Sequence, residues 1–527
     1  MTIPLNPADW LLNYDPAIHD GNRVTPLIDG ASYFAELKTE LYALAPDDFF
    51  YSAGWATDAN VWLDSSTTFR DGLDAAAASQ AKVRFLLYKG MQEKWYDDWY
   101  YEDQARPSHL VFVNAMDLIG HEAIIDLRHP VPEGSHHSKY VVVGKKDGAS
   151  GEYVLTGYVG GIDIAGGRWA TPDHDSPYTW HDIQAKVEGP IVYELLEHFE
   201  KRWGQHPTEA IWVDALPLKT ETTLALASGF PIRQTPVGTT AAQHLFTYPC
   251  HPNNLPSGRT QTEYEADAYY AFAPRGMRTI EEAIYNAIRH ARVYVYLENY
   301  AFYHLGIAAE IAARLDAQPE LQVIYVGDYK VHHFYQPETQ KAYGIVRAAT
   351  NGANFQTFDL REPRGIYRPV DLEYPDENYS GRRIYPHDKV VIVDDCWATI
   401  GSANFNHRSM ATDGEVNVGF IDLDPNNPLD VETDIRVSAG VRAFRKQLWA
   451  EHLRLDPEDA RLEGMLTALT TWNELAHDVP YTPSVDPNAS QARVFRQDLT
   501  LRNWTYWSEP ASYPPAWGYI DPNTEHP

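Results

Sequence analysis

Two short segments of this chain are near copies of each other: His137-Ser138-Lys139-Tyr140-Val141-Val142-Val143 and His387-Asp388-Lys389-Val390-Val391-Ile392-Val393. Each sets a histidine and a lysine two residues apart at the head of a β-branched run, which is the pattern of a buried strand. Residues two apart on a strand share a face, so each imidazole points the same way as its ammonium. Such a pair is costly in a dry core but suits a phosphate. Lysine neutralises the non-bridging oxygens while a neutral imidazole attacks phosphorus or carries a proton. A chain with two copies fits one active site built where two similar halves meet. One imidazole would be the nucleophile there and the other the general acid, then the base.

The copies are not identical. The second continues to Asp394 and then to Gly401-Ser402-Ala403-Asn404, whose hydroxyl and amide can donate to the same phosphoryl oxygens. The first has Gly144 at the place of Asp394, with Asp147 as a displaced substitute, and Gly160-Gly161-Ile162-Asp163 stands where the Gly-Ser-Ala-Asn run stands in the second.

Around the motifs, helices and strands alternate in the manner of an α/β fold. Ala31–Ala45 reads as a helix followed by a strand at Phe49–Trp55. Thr279–Ala291, with a Thr-x-x-Glu capping box, followed by Val293–Leu297 repeats that order. Lys82–Tyr88 is answered by Leu321–Val326, and the helix at Gly189–Trp203 by Val441–Leu453. This predicts two homologous halves, at about 25–205 and 276–455. The expected organisation is an N-terminal lobe over 1–205, a connection over 206–275, a C-terminal lobe over 276–455 and a tail over 456–527. The tail is rich in Trp and Pro, so it is expected to pack on the body.

Composition narrows the chemistry. The 527 residues include 43 Lys and Arg against 73 Asp and Glu, a net charge of −30, which argues against a broad nucleic-acid groove. Two distant cysteines, Cys250 and Cys396, make neither a disulfide framework nor a zinc site. The start has no secretory pattern and no stretch reaches the roughly 18 apolar residues of a membrane helix. A cytoplasmic protein, or one exported without a cleavable signal, is expected. The Trp95, Tyr96, Trp99, Tyr100 and Tyr101 cluster reads as a surface segment or as a cage for a choline headgroup. His332-His333 reads as solvated loop, His181 as a packed histidine, and Arg168 as either a phosphate ligand or a surface ion pair.

The duplicated motif resembles that of the phospholipase D superfamily, and is closer to the eukaryote-type enzymes than to the nucleases. The resemblance rests on His136–Lys139, Val159–Ile164 with Gly167-Arg168, Trp180–Ile183 with Glu188-Gly189-Pro190, Tyr296–Asn299, His387–Asp394, Gly401–Met410 and Glu415. It implies two α/β sandwich lobes with pseudo-two-fold symmetry and a site at their interface. By position, His137 is the implied nucleophile and His387 the implied acid and base, with Lys139, Lys389, Asn404 and Ser402 on the phosphoryl oxygens. Gly161, Asp163 and Arg168 are the further substrate contacts, and Asp394 is structural. An acid downstream of each motif is implied to orient its histidine, and Asp182 after His137 and Glu415 after His387 fit that place. Two lysines supply the positive charge, so no metal or cofactor is expected. With no room for an N-terminal calcium-dependent domain, no calcium requirement is implied. The implied activity is hydrolysis of glycerophospholipids to phosphatidic acid and headgroup alcohol through a phosphohistidine, with headgroup exchange. The partner is then a phospholipid at a membrane surface met peripherally, with no nucleic acid, no transmembrane segment and a monomer sufficient for the site. Another phosphodiesterase or nuclease of the superfamily, or a catalytically dead binding module for which Gly144 speaks, are the alternatives.

Overall fold

The structure, a computed structural model, describes residues 3–497 apart from 14–15, 89–111, 113–114, 117, 127, 129–133, 175–179, 205–230, 250–269, 329–335, 363–381 and 479–489. The aromatic cluster at 95–101, His332-His333, Cys250 and the tail beyond 497 lie outside the described residues.

The two motifs are strands of two sheets built to one plan. The first sheet contains β1 (His19–Ile28), β2 (Phe49–Gly54), β3 (Lys82–Tyr88), β4 (Glu122–Asp126), β5 (Tyr140–Lys146), β6 (Tyr153–Gly160) and β7 (Ile183–Glu188). Their spatial order is β4-β3-β2-β5-β6-β7-β1, with β2, β3 and β4 parallel and the rest antiparallel. The second sheet contains β8 (Thr240–Tyr248), β9 (Tyr294–Glu298), β10 (Gln322–Val326), β11 (Phe355–Glu362), β12 (Val390–Val393), β13 (Trp397–Gly401) and β14 (Glu415–Asp422). Its order, β11-β10-β9-β12-β13-β14-β8, repeats the first strand for strand. A short strand β15 (Val494–Arg496) is added beside β11.

Helices follow the same plan. In the first half α1 (Gly30–Tyr42) leads into β2, α2 (Phe69–Ala78) lies between β2 and β3, and α3 (Val192–Gly204) follows β7. In the second, α4 (Thr279–His290), α5 (Leu305–Ala317) and α6 (Ala439–Leu453) take the same places. The apolar faces of α3, α4 and α6 (among them Leu195, Phe199, Ile284, Ile288, Phe444 and Leu448) are buried in one core that runs across both sheets. Strand β8, inside the segment read as a connection, is the counterpart of β1. β1 pairs with both β7 and β8, so the sheets are joined through it. The capping box expected at Thr279 is not formed: its hydroxyl donates to the Phe246 carbonyl and accepts from the Phe246 N–H, fixing α4 to β8.

Gly144 has a packing reason. A Cβ there would lie 2.1 Å from the Phe49 ring, which fills the space and stacks on Tyr51. In the second half the equivalent Asp394 accepts from the N–H groups of Arg292, Val293 and Tyr294 at 2.6, 2.9 and 2.8 Å, tying β12 to the entry of β9. In the first half that tie comes from the facing strand: Asp48, just before β2, accepts from the Lys146 N–H of β5 at 2.8 Å. The first sheet thus makes a tie at this place from the opposite strand.

Candidate active site

Each motif enters its strand alongside a segment of the other half. Tyr385 and Pro386 pair in parallel with Trp180 and His181, and the His387 N–H donates to the His181 carbonyl at 2.7 Å. On the other side His136 bridges to Gly414, and the His137 N–H donates to the Gly414 carbonyl at 3.0 Å. The residue next along each partner segment is an acid, Asp182 in one case and Glu415 in the other. Main-chain register therefore decides which acid meets which imidazole. His387 Nδ1 lies 2.7 Å from Asp182 Oδ2, and His137 Nδ1 lies 2.9 and 3.1 Å from the two Glu415 oxygens. The acids are exchanged: each orients the histidine of the opposite half, not the histidine upstream of it in its own.

A carboxylate on Nδ1 holds the proton there and leaves Nε2 with its lone pair. The acids and lysines are almost fully enclosed, while the His137 and His387 side chains keep 14% and 12% exposure, so of these groups the imidazoles are the ones open to solvent. Burial and the neighbouring Lys139 push the His137 pKa well below the ordinary range, and burial with Lys389 and Arg168 does the same for His387. Both rings are thus neutral at neutral pH. Burial raises Asp182 to about 6 and Glu415 to about 7, and lowers Lys389 to about 8. Both lysines curl onto their own motifs, each ammonium donating to the carbonyl of the histidine two residues earlier.

Several residues expected on substrate do other work. Ser402 is fully buried, with its hydroxyl donating to Glu415 Oε2 at 2.5 Å and accepting from the Val416 N–H at 3.0 Å. Gly161 leaves room for the Asp182 carboxylate, whose Oδ1 would stand 2.1 Å from a Cβ. Asp163 accepts from the N–H groups of Trp55 and Ala56 at 3.1 and 3.0 Å and stands 3.7 Å from Lys139 Nζ, so it sets the lysine and the end of β2. Arg168 is not on the surface: it is buried, with its guanidinium 3.7 Å from the Trp180 ring centre. Asn404 is buried, and its Oδ1, an acceptor, has no hydrogen-bond partner among the described residues.

Sequence reasoning missed the aromatic frame. Trp180 lies 4.6 Å from the His387 ring and Tyr385 lies 5.9 Å from it, while Trp55 meets His137 edge-on at 6.2 Å. It also missed a buried set of ionisable groups behind His387. Asp29, His174, His181 and Glu451 bring donor atoms within 4.8 Å of one another, a set able to hold a metal ion. The four come from four separate segments, so no local spacing signals them; only His181, adjacent to Asp182, stood in a motif. Among the described residues no helix is long and apolar enough to cross a membrane.

The model of the family described as Phospholipase D matches residues 175–318 and 369–479. Phospholipase D alpha 1 of Nicotiana tabacum is 26% identical over 411 residues, covering 60% of this chain and 49% of that protein. Phospholipase D alpha 2 of Arabidopsis thaliana is 26% identical over 457 residues, covering 66% and 54%. The chain therefore spans about half the length of the curated relatives it matches. Among solved structures it is similar to the phosphatidylserine synthase of Haemophilus influenzae Rd KW20, with TM-score 0.49, 11% identity and coverage of 78% of this chain and 85% of that one.

Fold and site together define a duplicated α/β protein with one composite histidine–lysine centre. The family model and the curated relatives agree on what this chain is similar to, the phospholipase D superfamily.

Proposed function

We propose that this chain is a phospholipase D, a phosphodiesterase that cleaves a glycerophospholipid to phosphatidic acid and the free headgroup alcohol. The observation that carries the reading is the pair of exchanged His–carboxylate contacts, His137–Glu415 and His387–Asp182, each beside a motif lysine. His137 Nε2 attacks phosphorus, and the P–O bond to the headgroup breaks as His387 delivers its proton to the leaving oxygen. Binding of the anionic phosphate favours the protonated His387 that this step needs. Lys139, Lys389 and Asn404 face the phosphoryl oxygens. Neutral His387 then takes a proton from water, whose oxygen displaces His137 and releases phosphatidic acid. A small alcohol entering in place of water gives headgroup exchange. Contact with the membrane is peripheral, and one chain contains both motifs, so no second copy is required.

The test is headgroup release from phosphatidylcholine, phosphatidylethanolamine and phosphatidylglycerol vesicles with ethanol present. Phosphatidylethanol formed by the wild type and lost in His137→Ala supports the reading. Turnover of a non-lipid phosphodiester with none of the three lipids would replace it with another activity of the superfamily. Silence on every phosphodiester from folded protein would leave a binding module.

A further inference from the structure

The two halves offer equivalent places beside their imidazoles and fill them differently. Asp413 stands two residues before Glu415, as Trp180 stands two before Asp182. Ser135 stands two before His137, as Tyr385 stands two before His387, and Arg408 and Arg168 follow Gly401 and Gly160 by seven and eight residues. Beside His137 these places form a polar set: Asp413 Oδ1 accepts from the Ser135 N–H at 2.6 Å and from Arg408 Nη2 at 3.1 Å. Beside His387 they form an aromatic one. The Arg168 guanidinium lies 3.7 Å from the Trp180 ring centre, and the Tyr385 ring meets Trp180 at 4.9 Å. Both rings pack on the His387 imidazole, at 4.6 and 5.9 Å. A third ring, Tyr300, lies 6.3 Å from Tyr385 and has the Lys389 ammonium 5.8 Å from its centre.

We propose that the Arg168–Trp180–Tyr385 wall selects the headgroup, admitting those that present hydroxyl or carboxylate oxygens, such as glycerol and serine, and rejecting quaternary ammonium. The inference rests on the phospholipase D reading above, with His137 as nucleophile and His387 as acid. In-line attack by His137 puts the leaving oxygen on the far side of phosphorus, at His387, so the headgroup lies against the rings packed on that imidazole. A quaternary ammonium has no N–H to donate and is held by a carboxylate or by an open aromatic face. The groups around His387 offer neither. Asp182 uses both oxygens, Oδ2 on His387 Nδ1 at 2.7 Å and Oδ1 on the Ile183 N–H at 2.9 Å. A guanidinium already covers a face of Trp180, and an ammonium stands over Tyr300. A second cation brought to these rings meets the first, a repulsion that falls on choline and spares a polyol or a carboxylate. On the His137 side the corresponding arginine is answered by a carboxylate, whose place beside His387 is taken by Trp180.

The experiment presents phosphatidylcholine, phosphatidylglycerol and phosphatidylserine in equal amounts in one vesicle. Surface charge is then common to all three, and the rates of headgroup release compare kcat/KM directly. The wild type is expected to release glycerol and serine each about 10-fold or more faster than choline, and Arg168→Gln to remove most of that ratio while Arg168→Lys keeps it. Any general loss of rate cancels in the ratio. Choline released by the wild type as fast as either of the others, or a ratio unmoved in Arg168→Gln, would overturn the inference and leave the phospholipase D reading standing. The wild-type order decides the matter if Arg168→Gln fails to fold. A binding measurement covers the case in which no lipid is cleaved: full-length His137→Ala is titrated calorimetrically with glycerophosphoserine and glycerophosphocholine, soluble phosphodiesters of the same headgroups. The serine compound is expected to bind about 10-fold more tightly, and the difference to vanish when Arg168→Gln is added. That result without lipid turnover would replace the lipase reading and keep the selectivity, whereas equal binding, or none, would overturn the selectivity itself.

Discussion

His387 donates its Nδ1–H to Asp182 at 2.7 Å, although the two residues belong to opposite halves of the duplication. Glu415 returns the arrangement on His137. Because the pairs are set by strand-like contacts between residues 385–387 and 180–181, and between 136–137 and 414, they are a property of how the halves dock.

Asp182→Asn and Glu415→Gln are each expected to lower kcat by about 10^3–10^4-fold with KM little changed, since an amide no longer enforces the productive tautomer. Ring 15N signals assign the pairing directly. Asp182→Asn should move those of His387 and leave His137 in place, and Glu415→Gln the reverse. Movement of the histidine in the same half would refute the exchange.

Activity and stability should respond to pH in opposite directions on the acid side. Ionisation of Asp182 at about 6 and Glu415 at about 7 switches the site on, and deprotonation of Lys389 at about 8 switches it off. A bell-shaped kcat profile with limbs in those ranges is the expected result. For stability, the folded Glu415 keeps a proton that the unfolded chain releases near its ordinary value of 4.5, up to about 7. The stabilisation is full below about 4.5 and is lost as pH rises through about 7. Denaturation midpoints between pH 4.5 and 7 measure it, and Glu415→Gln should flatten the slope.

Restoring the aspartate of the first motif should harm the protein. Gly144→Asp drives a side chain into the Phe49 ring and is expected to cost about 1–3 kcal/mol. Asp394→Asn, which tolerates the positive φ of 52° but removes the charge from three N–H groups, should cost a comparable about 1.5–3 kcal/mol. Urea titration of both variants checks the pair, and a stabilised Gly144→Asp would refute the packing account.

Ser402→Ala separates a positioning residue from a substrate ligand. Its hydroxyl is spent on Glu415 and Val416, so kcat should fall while KM stays near wild type. The acid limb of the pH profile should rise, because Glu415 loses a donor that favours its charged form. A raised KM with an unmoved pH profile would mean the hydroxyl meets substrate after all.

What could be read from the sequence was what short spacing encodes. The His-x-Lys pairs, the strand runs after them and the order of helices and strands in each half all appear where periodicity put them. The acids Asp182 and Glu415 were also found, but their assignment was not, because it depends on inter-half register that no local pattern carries. Ser402, Gly161 and Asp163 resembled substrate ligands through their place in the motif. Burial and competing partners, visible only in three dimensions, turn each towards holding another residue. The ionisable cluster around His181 was the least legible, since Asp29, His174, Glu298 and the adjacent Glu451 and His452 are ordinary residues until distant parts of the chain converge.

The exchange of acids bears on how such a chain could have arisen. A precursor with one half and one motif would carry a histidine whose present carboxylate partner lies on the other half, and would find that group on a second copy of itself. Gene duplication and fusion would then have sealed a dimer already in use, not added a second site to a finished monomer. By the same logic, either half expressed alone lacks a complete pair, and function should return only when the two fragments are mixed.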